Sequence, residues 1–205
     1  MDPNSATAQK ELWVMDLSLP SAGRRWSELP PLPGAARMMP VVAAGGLDLY
    51  VMGGIEIVPG ALGAPKFLAP YLSDAYRFGP LSGGKPSGWV RLAGLPHPVA
   101  ASPAPAWTAD GKSILIFGGV DGTVEAVPVA ERDSVRSLPN DILSYDVASG
   151  QWSQAGTMPL GTNRVNGPGV AWRGGYALVS GEPLPGRRTP SVPFVKLADS
   201  DASAD

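Results

Sequence analysis

Apolar and polar residues alternate in short runs along this chain instead of recurring at helical spacing, and the runs predict strands. The clearest are residues 49–54 (LYVMGG), 114–119 (ILIFGG) and 176–181 (YALVSG). Runs rich in Val, Ile, Tyr and Phe suit strands buried on both faces, and a closing glycine permits a sharp exit beside a neighbouring backbone. A further strand is expected over residues 75–78 and 143–147, with an earlier counterpart at 12–17. Another opens on a tryptophan each time, at 26–29, 89–92 and 152–154. A weaker strand precedes each apolar run, at 38–44, 104–108 and 165–172. Proline-rich connectors such as residues 29–33 cannot continue a ladder and mark its end.

The pattern is periodic. Trp26, Trp89 and Trp152 stand 63 residues apart, and each closes the same order of strands. A fixed period of this size marks an array whose single unit cannot bury its own apolar face and must stack on its neighbours. The recurring tryptophan is expected to fill the wedge between adjacent sheets. Glycine doublets after the second strand, an aromatic in the third (Tyr76, Tyr145) and a tryptophan opening the fourth resemble the kelch motif of β-propellers. The resemblance implies an all-β fold, a kelch-type β-propeller that is incomplete, with two full four-stranded blades and two partial ones.

Residues 1–10 then read as a disordered N-terminal tail, 11–197 as the partial propeller with blade boundaries near 34, 97 and 160, and 198–205 as a disordered acidic tail. Propellers close with four to eight blades, so this arc would expose strand edges and calls for a missing propeller half or a homo-oligomer. The period exceeds kelch length through two loops, residues 55–73 and 120–140, and loops of that size commonly carry function. Disorder is an alternative reading of the acidic, serine-bearing stretch at 131–137.

Composition narrows the chemistry. Apolar residues make up 44% of the chain and charged residues 17%, with a net charge of −2. Both signs are scattered, which argues against nucleic acid as a partner. No apolar run reaches membrane-spanning length, and no secretory signal opens the chain, so a cytoplasmic location is the default and an exported one follows only if the N-terminus is truncated. Zero cysteines exclude disulfides and thiolate sites. Copper-radical oxidases with kelch blades are similar in repeat architecture, but that family needs a cysteine-bonded tyrosine and several histidines. Here His97 is the one histidine; it is expected to be a solvated loop residue, and no metal or organic cofactor is expected.

The stretch best suited to chemistry is residues 181–189 (GEPLPGRRT). Glu182 reads as a replacement for the second glycine of the doublet, a carboxylate where the inner strands leave the sheet. Pro183, Pro185 and Gly186 favour a tight turn that folds Arg187 or Arg188 back toward it. An exposed, weakly stabilising surface pair is the competing reading.

Residues 176–189 (YALVSGEPLPGRRT), preceded by 143–159 (LSYDVASGQWSQAGTMP), resemble the bacterial N-acetylneuraminate mutarotase family, and the likeness continues upstream through residues 47–55 (LDLYVMGGI). The resemblance implies a kelch propeller that interconverts sialic acid anomers. It assigns Glu182 as the acid/base and Arg188 as the group that binds or polarises a small sugar acid. Arg37, Asn163 and Arg164, in connectors leading to inner strands, are further substrate-binding candidates, against a reading as solvent-facing loop residues. The lead into the third blade (ASPAP, residues 101–105) departs from the polar segment the family would carry. The alternative function is a non-catalytic kelch module that binds a protein or carbohydrate through its long loops. A sialidase-like hydrolase fits less well, since its tyrosine nucleophile and arginine cluster are not evident.

Overall fold

The computed structural model describes residues 8–57, 70–80, 88–108, 110–135 and 137–196. Most of both expected tails and of the first long loop lies outside these residues. Fourteen strands in a row and two short 3-10 turns make up the regular structure, with no α-helix among the described residues.

The strands fall into consecutive antiparallel sheets. The first pairs β1 (Leu12–Met15) with β2 (Trp26–Leu29). The second begins with β3 (Arg37–Met38) and β4 (Val41–Gly45), continues through β5 (Asp48–Met52), β6 (Ile55–Glu56) and β7 (Ala75–Phe78), and ends on β8 (Trp89–Arg91). Of these, β4-β5-β7-β8 form a four-stranded sheet in that order, and β3 pairs β6 in a separate two-stranded sheet. The third comprises β9 (Ser113–Phe117), β10 (Asp141–Asp146) and β11 (Gln151–Thr157), paired in that order. The fourth comprises β12 (Gly169–Trp172), β13 (Gly175–Leu178) and β14 (Phe194–Lys196).

The repeat read from the sequence is therefore present as successive sheets, with strand ends displaced by up to four residues. The inner strand expected at 104–108 is the exception. Only single bridges hold it, Trp107 to Leu115 and Ala104 to Pro168, because Pro103 and Pro105 supply no N–H for a ladder. Pro168 likewise delays β12 until Gly169. At the N-terminus, order begins ahead of the expected strand: the Arg37 N–H bonds the Gln9 carbonyl and the Leu32 N–H the Lys10 carbonyl, so the expected tail is in part tied down.

Packing between sheets gives the arrangement its propeller-like character. Tyr50, Met52 and Ala75 of the second sheet share one cluster with Ile114, Ile116, Leu143 and Tyr145 of the third. On the other face of β9, Phe117 and Leu115 join Trp107 of the bridged segment beside β9 and Tyr176 and Leu178 of the next sheet. Covered on both sides, β9 is buried over four successive residues, which is why it reads as an unbroken apolar run. Tyr176 stacks on Trp107 at 5.5 Å and on Phe117 at 5.2 Å between ring centroids, and its hydroxyl donates to the Pro105 carbonyl. Burial pushes its pKa up to about 12, so it remains a donor.

Trp26 is 64% exposed and so departs from the wedge-filling expectation, whereas Trp89 and Trp152 are half-buried and also make a polar tether. Trp89 Nε1 donates to the Pro30 carbonyl at 2.7 Å and Trp152 Nε1 to the Ala93 carbonyl at 2.9 Å, each 59 residues back in the preceding repeat. Each outer strand is thus tied to the connector before it. Replacing Trp89 by Phe deletes the donor together with the pyrrole half of the indole; we expect a loss of about 1 kcal/mol or more in urea unfolding, and an unchanged midpoint would mean that the tether contributes nothing.

Candidate functional site

Three backbone positions recur in left-handed conformation and locate the site. Gly53, Gly118 and Ser180 have φ of 57°, 56° and 58°; Gly54, Gly119 and Gly181 have 100°, 92° and 98°; Met39, Ala101 and Asn166 have 51°, 53° and 55°. After each doublet one residue bridges back to the connector: Ile55 to Met38, Val120 to Ala100, Glu182 to Val165. Glu182 therefore does not replace the second glycine, which is Gly181. It occupies the place of Ile55 and Val120, and Ser180 replaces the first glycine. The left-handed backbone disfavours a side chain at these positions by about 1–2 kcal/mol. At Gly118 a methyl would also collide with the Asn163 side chain.

Glu182 is fixed by reciprocal backbone bonds with Val165, both 3.0 Å. The chain then turns as proposed: Arg187 N–H bonds the Leu184 carbonyl, Thr189 N–H bonds the Gly181 carbonyl, and Gly186 adopts φ 66°. The turn brings Arg188 Nε to 3.4 Å from Glu182 Oε1; the glutamate side chain is 22% exposed and the arginine 84%. Arg188 stands at the outer lip while Glu182 faces inward.

Inward lies a cleft of ≈ 280 Å³. Met38, Ile55, Val120 and Val165 form an apolar floor, and Glu182, Pro185 and Gly186 form one wall. The second long loop contributes Val124, Glu125, Arg132 and Leu138 to the lining, together with Tyr71. That loop is ordered over most of its length. A 3-10 turn spans Val129–Ser134, and Val124 and Leu138 pack on Ala101 and Val165. Arg132 clamps the loop by donating to the carbonyls of Val127 and Glu125, both at 3.1 Å. Sequence reasoning singled out this loop by length but missed Glu125, Tyr71, Arg132 and Asn166 as lining residues.

Arg37, Asn163 and Arg164 lie inside the wall, only 6%, 2% and 1% exposed, so the solvent-facing reading does not describe them. None lines the cleft. Arg37 makes a two-pronged pair with Asp74 at 2.6 and 2.9 Å and donates to the Gly53 carbonyl at 2.8 Å, joining the two ends of the first long loop. Asn163 performs the same task for the second: it bonds the Gly119 N–H and carbonyl, each at 3.0 Å, and the Pro139 carbonyl at 2.6 Å. Arg164 bonds the carbonyls of Gly161 and Asn163 and the Ser191 hydroxyl, while its Nε finds no partner; burial lowers its pKa.

His97 departs from its expected role as a free loop residue. Its Nε2 sits 2.7 Å from Asp141 Oδ2, tying a connector to the start of β10 as Arg37 ties one to the residue before β7. Burial pulls the imidazole pKa down, but the Asp141 hydrogen bond, helped by the Pro98 carbonyl, outweighs it and the net shift is upward. Burial alone would raise Asp74, yet the bonds and charge of Arg37 reverse the sign and hold it below the ordinary value. Among the described residues no group of three or more His, Cys, Asp or Glu could hold a metal ion, and no helix is long and apolar enough to cross a membrane.

An all-β protein of propeller-like architecture, with a carboxylate set in an apolar cleft, is the class that this fold and site define. The chain is homologous to bacterial N-acetylneuraminate epimerases. It is 30% identical to that of Brucella melitensis biotype 1 over 221 residues, covering 96% of this chain and 54% of the relative. It is 27% identical to that of Haemophilus influenzae (strain PittEE) over 199 residues, covering 87% and 49%. The chain thus spans about half the length of the curated relatives it matches. In fold it is similar to the solved structure of YjhT, with a TM-score of 0.67 and 22% identity, over 94% of this chain and 60% of that one. No family model matches the chain.

The wall makes two predictions. Asp74→Ala leaves the Arg37 guanidinium, whose side chain is 2% exposed, without its counter-charge, and should cost about 3 kcal/mol at neutral pH by denaturant unfolding. For His97 the folded pKa is raised, so its stabilisation is full below the unfolded value of about 6.5 and fades as pH rises through the folded value. The melting-temperature gap between the parent and His97→Ala should accordingly narrow between mildly acidic and alkaline pH; a gap that widens would refute the pairing.

Proposed function

We propose that this chain is part of a kelch-type propeller that interconverts the anomers of N-acetylneuraminate or a closely related 2-keto sugar acid, with Glu182 as acid/base and Arg188 as the partner of the sugar's carboxylate. One observation carries the reading: a carboxylate stands where earlier repeats place Ile55 and Val120, half-buried at the edge of an apolar cleft, with a guanidinium at its lip. Homology to epimerases of N-acetylneuraminate supports the substrate class.

Opening a cyclic 2-keto sugar removes a proton from the anomeric hydroxyl and delivers one to the ring oxygen; closing on the other face reverses both transfers. A carboxyl group that gives and takes a proton suits this, and a planar guanidinium suits a carboxylate through paired charge-assisted bonds. Arg188, exposed and close to Glu182, is free to swing from the glutamate to an incoming anion. Arg37, Asn163 and Arg164 serve the site from behind, by bracing its wall.

The half-length match and the exposed aromatics of the first and last sheets, Trp13, Trp26, Trp172 and Phe194, support a working assembly that contains further units of the same kind. A module that binds a ligand without transforming it is the second reading, favoured by the 84% exposure of Arg188.

Anomer exchange measured by NMR separates the two. Glu182→Gln is expected to lose roughly 100-fold or more of the protein-dependent exchange of sialic acid anomers, with binding of the sugar largely kept. Exchange at the parent rate would remove Glu182 from the mechanism.

A further inference from the structure

Mutarotation moves two protons at two oxygens on opposite sides of the reacting carbon, and Glu182 occupies a single wall of the cleft. The second long loop adds Glu125 to the lining of the same cleft. Several independent features hold it there. Asp121 Oδ1 accepts bonds from the N–H and hydroxyl of Thr123, the Ala126 N–H bonds the Gly122 carbonyl at 3.3 Å, and Arg132 fixes the Glu125 carbonyl. Gly122, at φ 96°, lets the loop settle on the Tyr71 ring; any side chain there would run into that ring.

The Tyr71 hydroxyl faces the Glu125 carboxylate, and burial followed by that negative charge drives its pKa upward, so it stays protonated. The second carboxylate oxygen, Oε2, is shielded from solvent and meets no donor on the protein. A shielded acceptor without a partner costs about 1–3 kcal/mol, a cost that a proton or a sugar hydroxyl at that oxygen would offset. The loop conformation alone does not require it.

We propose that Glu125, steadied by Tyr71, is the second proton-transfer group of this cleft, acting on the oxygen that Glu182 does not reach. This rests on the mutarotase reading. As the ring opens, Glu182 takes the proton of the anomeric hydroxyl, the carbon–oxygen ring bond breaks with its electron pair moving to the ring oxygen, and Glu125, which enters the cycle carrying a proton at Oε2, delivers it to that oxygen. The anomeric carbon becomes a ketone and turns about its bond to the adjacent ring carbon. On closure the hydroxyl formed from the ring oxygen attacks the other face of the ketone and returns its proton to Glu125, while Glu182 gives its proton to the carbonyl oxygen, leaving the protein unchanged.

The test is anomer exchange of N-acetylneuraminate on the full chain, by exchange NMR over a range of sugar concentrations, with Glu125→Gln, Glu125→Asp, Tyr71→Phe and Glu182→Gln beside the parent. Glu125→Gln should lose about 100-fold or more at saturating sugar, as expected for a general acid, with little change in KM. Glu125→Asp, which keeps the acid, should recover part of that loss, and Tyr71→Phe should lose less than Glu125→Gln. If Glu125→Gln exchanges at the parent rate while Glu182→Gln is inactive, the inference falls and the mutarotase reading stands. If Glu125→Asp is as inactive as Glu125→Gln, the residue only shapes the loop and the inference also falls. A parent chain that leaves exchange at the spontaneous rate overturns both.

Discussion

Face-to-face contact between consecutive sheets is the constraint on which the molecule depends. A sheet of three or four short strands has two faces and too few residues to cover either one, so stability comes from its neighbour. Tyr176 makes the point in one residue: its ring stacks on Trp107 and Phe117 of the sheet before, and its hydroxyl reaches the Pro105 carbonyl. The same logic makes β9, sandwiched on both sides, the most apolar strand, while β2 and β12, with less to cover them, show mostly exposed residues.

Stacking of this kind converges the inner ends of the sheets, and the backbone records that convergence. The Ala101 N–H bonds the Met39 carbonyl and the Asn166 N–H bonds the Ala101 carbonyl, both at 3.0 Å, so three left-handed residues are strung from sheet to sheet along the floor of the cleft. Behind them each connector is locked to the start of its repeat's third strand, or to the residues just before it, by a different polar device: Arg37 with Asp74, His97 with Asp141, Arg164 with Ser191. One architectural task is performed by an ion pair, a titratable pair and a hydroxyl. Its constant purpose is to hold the bases of the loops that form the walls.

Much of this was legible in the sequence, for reasons that differ from element to element. The second, third and fourth strands announce themselves because their side chains pack within a regular period, and the 63-residue spacing of the tryptophans follows from one tether per unit. The weaker strand expected at 104–108 is reduced to single bridges, because Pro103 and Pro105 supply no N–H for a ladder. Glu182 stood out as a charge in an apolar pattern, but its alignment came out one residue off, since Ser180 in a left-handed conformation does not look like the glycine it replaces. Arg37, Asn163 and Arg164 were found as charged or polar residues near inner strands, yet their burial depends on Asp74, Gly119 and Ser191, contributed from strand or loop ends tens of residues away. Glu125 and Tyr71 were beyond reach, because they meet only after a loop without periodicity has folded.

The indole tethers carry one more consequence. Each spans 59 residues and always points to the unit before, never the one after, so the array has a polarity like that of a row of tiles with a tongue on one side and a groove on the other. Removing or adding a few residues within a unit would pull a tongue out of its groove. Duplicating an entire unit would leave every joint matched. Such a protein can change size in whole tiles while conserving each joint.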